Sequence, residues 1–262
     1  MADYLFEHWN GLEKSLARAQ TVYLFCDFDG TLARIARRPE SAHLEKKHHK
    51  LLESLASNKK FRIAIISGRS ILQLKRLVSV DGVYYAGNHG FEISGPKISY
   101  INPSAVRRVK LLKAAARELQ SALRSISGVI VEDKGLTVSV HYRMSKPSNR
   151  KTVVKLVESV ASKHRGLTLT SGKMIVELRP RVKWHKGMAA LKLLGALGRR
   201  GNVIFIGDDT TDEDAFQSLK GNITVRVMHK RVKTSAKYYL RSVSEVWRFI
   251  GLLFNATSRT IS

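Results

Sequence analysis

Short, wholly apolar runs separated by stretches of helical periodicity organise this chain. Val22-Tyr23-Leu24-Phe25-Cys26 is apolar throughout and stops at Asp27-Phe28-Asp29-Gly30-Thr31, the pattern of a buried parallel strand closed by a turn. Residues ~43–57 put Leu44, Leu51, Leu52 and Leu55 on one face of a helix. Phe61 to Ile66 predicts a second buried strand, ending at Ser67-Gly68-Arg69, and the helix after it carries Ile71, Leu72, Leu74 and Leu77. A short strand follows over Gly82 to Ala86. Further on, Lys186 to Leu197 reads as a helix, and Val203 to Ile206 as a strand that ends at Gly207-Asp208-Asp209. Strands alternating with helices predict an α/β protein with a Rossmann-like parallel-sheet core. Val243, Val246, Trp247, Ile250 and Phe254 recur at helical spacing, which predicts a helix docked on that core rather than one lying on a membrane.

The middle of the chain breaks this alternation. A helical pattern at ~104–124 precedes strands at ~128–132 and ~136–142; a helix at ~148–164 precedes strands at ~167–171 and ~174–179. The order α-β-β-α-β-β is that of a small α+β domain with an antiparallel sheet, inserted into the α/β core. The expected division is a core over 1–102 and 183–262 and an insert over 103–182. Pro103 and Pro180 mark its junctions, so linkers near ~101–104 and ~180–185 are expected to act as hinges.

The polar ends of the strands carry the chemistry. In open parallel sheets the active site forms beyond the carboxyl ends of the strands. An acidic glycine turn is in itself only a turn, and Ser-Gly-Arg only a helix entry. Three such clusters brought to one edge are far more specific. Carboxylates gathered there repel one another and call for a compensating cation, and an all-oxygen set favours Mg²⁺. A carboxylate can also act as nucleophile and form an aspartyl-phosphate, with a hydroxyl, a lysine and backbone N–H groups neutralising the transferring oxygens.

Composition narrows the field. Of 262 residues, 44% are hydrophobic and 26% charged, enough for a sizeable core and no sign of disorder. No apolar run is long enough for a membrane span, and residues 1–20 lack the layout of a signal peptide. One cysteine, Cys26, excludes an intrachain disulfide, so a cytoplasmic location is expected. Strand alternation points Cys26 into the core, away from Asp27. Lys and Arg number 46 against 21 Asp and Glu, a formal charge of +25. That first suggests nucleic acid, against which an anionic small substrate and adaptation to a host environment compete. The basic residues are spread along the whole chain, so a nucleic-acid partner is not expected.

The four clusters, in order, resemble the motifs of the haloacid dehalogenase superfamily of phosphatases: Asp27-Phe28-Asp29-Gly30-Thr31-Leu32, Ser67-Gly68-Arg69, Lys186 in Trp184-His185-Lys186-Gly187, and Gly207-Asp208-Asp209-Thr210-Thr211-Asp212-Glu213-Asp214-Ala215-Phe216. The resemblance implies that Asp27 is the nucleophile and Asp29 the acid/base. It implies that Ser67 and Lys186 hold phosphoryl oxygens, and that Asp212 acts near the metal or orients Lys186. Mg²⁺ would be bound by Asp27, Asp29 (through its backbone carbonyl) and Asp208. Thr31, Gly68 and Arg69 within the motifs are expected to face the substrate. His89 between two glycines either satisfies a turn or lies at the site edge.

Further matches narrow the resemblance to trehalose-6-phosphate phosphatases: Arg38-Pro39-Glu40, Gly87-Asn88-His89-Gly90 with Glu92, Val131-Glu132-Asp133-Lys134, Ser139-Val140-His141-Tyr142-Arg143, Gly172-Lys173 and Val176-Glu177-Leu178-Arg179-Pro180. The insert then resembles that family's cap, which closes over the sugar. By position Glu132, Lys134, His141, Arg143, Lys173, Glu177 and Arg179 are its candidates for the glucose hydroxyls, Lys173 and Glu177 foremost. The implied substrate is a small sugar phosphate, with trehalose-6-phosphate synthase as a possible partner in the same pathway. Phosphatases for sucrose 6-phosphate or mannosyl-3-phosphoglycerate are the neighbouring alternatives. A basic binding protein that has kept the fold without its activity has no need of Asp27, Asp29, Lys186 and Asp208 together. Trp184 is expected to serve as a packing anchor.

Overall fold

The computed structural model describes residues 2–36 and 38–258. In chain order it runs β1 (Asp3–Tyr4), α1 (Trp9–Arg18), β2 (Val22–Cys26), α2 (Lys46–Ser57), β3 (Phe61–Ile66), α3 (Ile71–Val78), β4 (Tyr84–Gly87), β5 (Glu92–Gly95) and β6 (Ile98–Ile101). Then come α4 (Pro103–Val106), α5 (Val109–Leu123), β7 (Ile130–Asp133), β8 (Val138–His141), α6 (Arg150–Lys163), β9 (Leu167–Gly172) and β10 (Ile175–Pro180). The chain closes with α7 (Lys186–Ala196), β11 (Asn202–Gly207), α8 (Thr210–Ser218), β12 (Ile223–Val227), β13 (Tyr238–Leu240) and α9 (Val243–Ser258). Contacts divide it into two compact units, Met1–Ser99 with Trp184–Ser262, and Tyr100–Lys183. Among the described residues no helix is long and apolar enough to cross a membrane.

In the first unit the strand order is β1-β13-β12-β11-β2-β3-β4-β5-β6. β2 pairs in parallel with β11 on one side and β3 on the other. The chain runs outward from β2 in both directions, so the order reverses beside it and leaves a crevice at its carboxyl end. Every residue of β2 is buried, as a central strand covered on both faces requires. Val22, Leu24 and Cys26 join one core with Leu16, Leu52, Val246, Trp247, Ile250 and Leu253 from α1, α2 and α9. Tyr23 and Phe25 face the other way, and the Tyr23 hydroxyl donates to Leu197 O just past α7 at 2.9 Å. Alternation therefore turns Cys26 toward the α1/α2/α9 core and Asp27 toward α7.

The second unit holds the antiparallel sheet β7-β8-β10-β9. Val138, Val140, Val176 and Leu178 pack on Leu112, Leu119, Val153 and Val157 of α5 and α6. The alternate residues, including Glu177 and Arg179, occupy the other face.

Several elements differ from the sequence pattern. The single helix expected at ~104–124 is broken at Arg107-Arg108: the Arg108 N–H bonds to Ala105 O, three residues back, and its guanidinium takes Ser104 O at 2.9 Å. Asn102 Oδ1 caps α4 by accepting from the Ser104 and Ala105 N–H groups, so Pro103 starts a helix rather than lying in a free linker. The helix expected from residue 43 starts at Lys46 because Glu45 is still extended, with ψ 146°. β1, β5, β6, β12 and β13 have between two and five residues each, too few for a pattern to stand out.

Candidate active site

β2, β3 and β11 are adjacent and parallel, so the polar residues after them meet at one edge. The Asp27 N–H donates to Ile206 O at 2.8 Å and carries the β2–β11 ladder one residue beyond the strand. The Ser67 N–H likewise donates to Ala86 O at 2.9 Å. The backbone of the strands thus fixes where Asp27 and Ser67 stand.

Lys186 is the hub. It opens α7, where the macrodipole disfavours a cation. Two carboxylates offset that: its Nζ donates to Asp27 Oδ1 and to Asp212 Oδ1, each at 2.8 Å, and all three residues are buried. Burial lowers the lysine pKa, but Asp212 and Asp27 more than reverse this and hold it above the ordinary range. Burial raises the Asp27 carboxyl well above its usual range; Lys186 opposes, while Asp212 and Asp208 push further up. α8 makes the contact possible by crossing α7 closely at Gly187, where a Cβ would stand 2.2 Å from Ser218 Oγ. Asp209 caps α8, and Asp212 on the first turn accepts the Asp208 and Asp209 N–H groups through Oδ2, both at 3.0 Å.

Asp27, Asp208 and Asp212 each bring a carboxylate oxygen within 4.8 Å of the others, all of them buried. Three carboxylates against one ammonium leave surplus negative charge in a dry place, and hard oxygen donors of this kind fit a divalent cation. Gly30 keeps the group open. Its φ is +82°, and a Cβ there would stand 2.3 Å from Asp208 Oδ2. The Asp29 carboxylate lies outside this group and is gripped by Arg69, Nε to Oδ2 at 2.6 Å and a terminal nitrogen to Oδ1 at 2.7 Å. Thr31 is fully buried, and its Oγ1 has no hydrogen-bond partner among the described residues. Ser67 O accepts the His89 N–H at 2.8 Å, and the His89 ring lies over Gly68. His89 adopts φ +57°, the left-handed region.

The candidates in the second unit form their own polar set. Glu132, Ser139, Glu177 and Thr170 are aligned across four strands. Glu177 Oε1 accepts from Lys134 Nζ at 2.5 Å, Ser139 Oγ at 3.0 Å and Thr137 Oγ1 at 3.1 Å. Glu132 bonds His141 at 2.9 Å. Arg143 donates to Lys173 O at 2.9 Å, while the Lys173 side chain is exposed.

Some supporting residues had no role assigned from the sequence, although Ser139, Asn88 and Glu92 lie in its matching segments. Thr137, just before β8, and Ser139 within it gain a partner only where the fold sets them beside Glu177. Glu213 lies inside the fourth cluster, but its partners Arg226, Thr234 and Ser235 follow from the fold alone. Glu92 accepts the first N–H of α3 at 2.9 Å and the Asn88 amide at 2.7 Å, bracing the turn that carries His89. Cys26 is buried in the core on the opposite face of β2 from Asp27, and burial pushes its thiol pKa up.

The mainly parallel sheet interrupted by an α+β unit is a fold shared with a haloacid dehalogenase-like hydrolase from Bacteroides thetaiotaomicron, which superposes with a TM-score of 0.61 at 17% identity, covering 88% of this chain and 98% of that one. The C-terminal domain of Candida albicans trehalose-6-phosphate phosphatase superposes with a TM-score of 0.85 at 24% identity, covering 97% of this chain and 99% of that one. The chain belongs to the trehalose-phosphatase family, whose model matches residues 25–244. It is 32% identical to trehalose-phosphate phosphatase B of Arabidopsis thaliana over 94% of its own length and 69% of that protein's. It is 38% identical to the trehalose-phosphate phosphatase of Mycobacterium tuberculosis over 79% of its length, spanning 53% of that relative.

Proposed function

We propose that this chain hydrolyses trehalose 6-phosphate to trehalose and phosphate through a phosphoryl group carried on Asp27. The observation that carries this is the buried contact of Asp27 with Lys186 at 2.8 Å, with Asp208 and Asp212 alongside, beyond the ends of parallel strands. Family membership and the names of the plant and mycobacterial relatives support the choice of sugar.

An Asp27 oxygen attacks phosphorus, the bond from phosphorus to the sugar oxygen breaks, and Asp29 gives its proton to the leaving alkoxide. Asp29 then takes a proton from water as the water oxygen attacks the same phosphorus. The bond to Asp27 breaks, and phosphate leaves with the carboxylate restored. Arg69 aims Asp29 through its two-point grip. Lys186, the Ser67 hydroxyl and the unpartnered Thr31 hydroxyl hold phosphoryl oxygens, and Asp212 keeps Lys186 extended toward them. Asp27, Asp208 and the Asp29 backbone carbonyl would hold Mg²⁺, which would neutralise charge on the transferring group. Gly68, Arg69 and His89 border the phosphate side. Glu132, Lys134, His141, Arg143, Lys173 and Glu177 offer donors and acceptors for the sugar hydroxyls.

The test is phosphate release from a panel of trehalose 6-phosphate, sucrose 6-phosphate, mannosyl-3-phosphoglycerate and glucose 6-phosphate. Trehalose 6-phosphate is expected to have the highest kcat/KM, and Asp27→Asn to abolish turnover of every member. Equal rates across the panel would overturn the choice of sugar, and an active Asp27→Asn the mechanism.

A further inference from the structure

Although the basic residues are scattered in sequence, the fold sorts them. Between Tyr100 and Lys183 there are 18 Lys and Arg against 5 Asp and Glu, more than half of the +25 charge in under a third of the chain. Three of those acids are taken up internally: Glu177 by Lys134, Glu132 by His141, and Glu118 by Lys163 and His164. The buried sides of α5 and α6 face the core of this unit. On their exposed sides stand Lys110, Lys113 and Arg117 of α5 at i, i+3 and i+7, and Lys151 and Lys155 of α6 at i, i+4. Among the described residues no carboxylate pairs with any of these five. Like charges at these spacings cost a helix a few tenths of a kcal/mol per pair, about 0.2–0.5, and the one exposed carboxylate near them, Glu158 at i+3 from Lys155, offsets only part of that.

We infer that the exposed face of α5 and α6 binds the phosphodiester backbone of nucleic acid without reading its sequence. Neighbouring turns set the cations about 5–6 Å apart along each helix, and packed helices lie about 8–10 Å from one another. A duplex carries a charge every ~1.7 Å of its axis, so such a face releases several condensed counterions at once. An acidic protein or an anionic membrane fits less well. The exposed positions among the cations include Ala114, Gln120, Ser121, Thr152, Ser159 and a single acid, Glu158, and no large apolar residue of either helix is exposed. A protein interface needs an aromatic or aliphatic centre, and an interfacial helix needs an apolar face to bury.

The experiment is fluorescence anisotropy of the full chain with a labelled duplex of random sequence, a single strand of the same length and vesicles rich in phosphatidylserine, across a salt series. Both nucleic acids are expected to bind at ~50 mM salt with little sequence preference, affinity falling linearly in log–log form with salt. The triple variant Lys110→Glu, Lys113→Glu, Arg117→Glu should bind at least ~10-fold more weakly, with a salt slope shallower by about one for each phosphate no longer neutralised. A control with the same charge change on the other unit, Lys14→Glu, Lys75→Glu, Lys220→Glu, should keep most of the affinity. Phosphate release is expected to be unchanged in both triples, which shows each is folded. Equal weakening by the two triples reduces the effect to net charge and overturns the inference. So does absence of nucleic-acid binding at ~50 mM salt, or binding to vesicles alone.

Discussion

Lys186 Nζ donates to Asp27 Oδ1 at 2.8 Å from the first turn of a helix that begins 159 residues after that carboxylate. Neither group is stable in this place alone. The lysine sits at the wrong end of a helix dipole, and the aspartate sits among two further carboxylates. Removing the ammonium leaves buried charge uncompensated. Lys186→Met is therefore expected to slow phosphate release by about 10²–10³-fold and to lower stability by about 3–5 kcal/mol. Steady-state kinetics and urea unfolding check the two effects separately; wild-type turnover in this variant would remove Lys186 from the reaction.

The grip of Arg69 on Asp29 is bidentate, at 2.6 and 2.7 Å, and a lysine cannot reproduce that fork. Arg69→Lys and Arg69→Ala should thus be impaired to a similar degree, on the order of 10²-fold in kcat, as expected when a reacting group is misaimed by about an ångström. If the lysine variant restores full activity, charge rather than aim is what Arg69 provides.

Gly30 faces the Asp208 carboxylate at a separation that no Cβ tolerates, and its φ of +82° is costly for any other residue. Gly30→Ala is expected to lose most activity because Asp208 must move, and to lose about 1–2 kcal/mol from the left-handed backbone. Raised magnesium should restore part of the rate by mass action. A fully active Gly30→Ala enzyme would show that Asp208 has room to spare.

Exhaustive chelation should stop phosphate release, and Mg²⁺ should restore it. Asp208→Asn should shift the Mg²⁺ concentration for half-maximal rate upward by about 10-fold or more, since one of three closely spaced carboxylates loses its charge. Activity that survives chelation counts against a metal at this edge.

Glu213 accepts from Arg226, from the Thr234 hydroxyl at 2.7 Å and from the Ser235 N–H at 2.7 Å, while Arg226 also reaches Asp208 O at 3.5 Å. Glu213→Ala should deprive Arg226 of its carboxylate and speed amide exchange across residues 228–236, with a smaller effect for Glu213→Gln. Unchanged exchange in the alanine variant would mean that other contacts hold this segment.

Local chemistry is legible in the chain itself. The runs Val22 to Cys26 and Phe61 to Ile66 match β2 and β3 residue for residue, because a strand buried on both faces has a nearly continuous apolar signature, broken in β3 only by the half-buried Arg62. The longer helices and the inserted α+β order follow from periodicity for the same reason. The parallel alternation also indicates that Asp27, Ser67 and Asp208 come to one edge, and resemblance supplies their roles. Pattern does not reveal the short strands β12 and β13, since three to five residues do not make a period.

Tertiary structure decided which charges neutralise which. That Asp212 turns inward to Lys186, that Arg69 takes Asp29, and that Glu177 collects Lys134, Thr137 and Ser139 all depend on register and on helix approach across 26 to 43 residues. The same holds for the basic face of α5 and α6, diffuse along the chain and concentrated once two helices bury their apolar sides. Secondary structure is read from neighbours a few residues away, whereas ion pairing depends on distance in space. Sequence therefore determined the elements and the reactive residue types, and only packing determined their electrostatics.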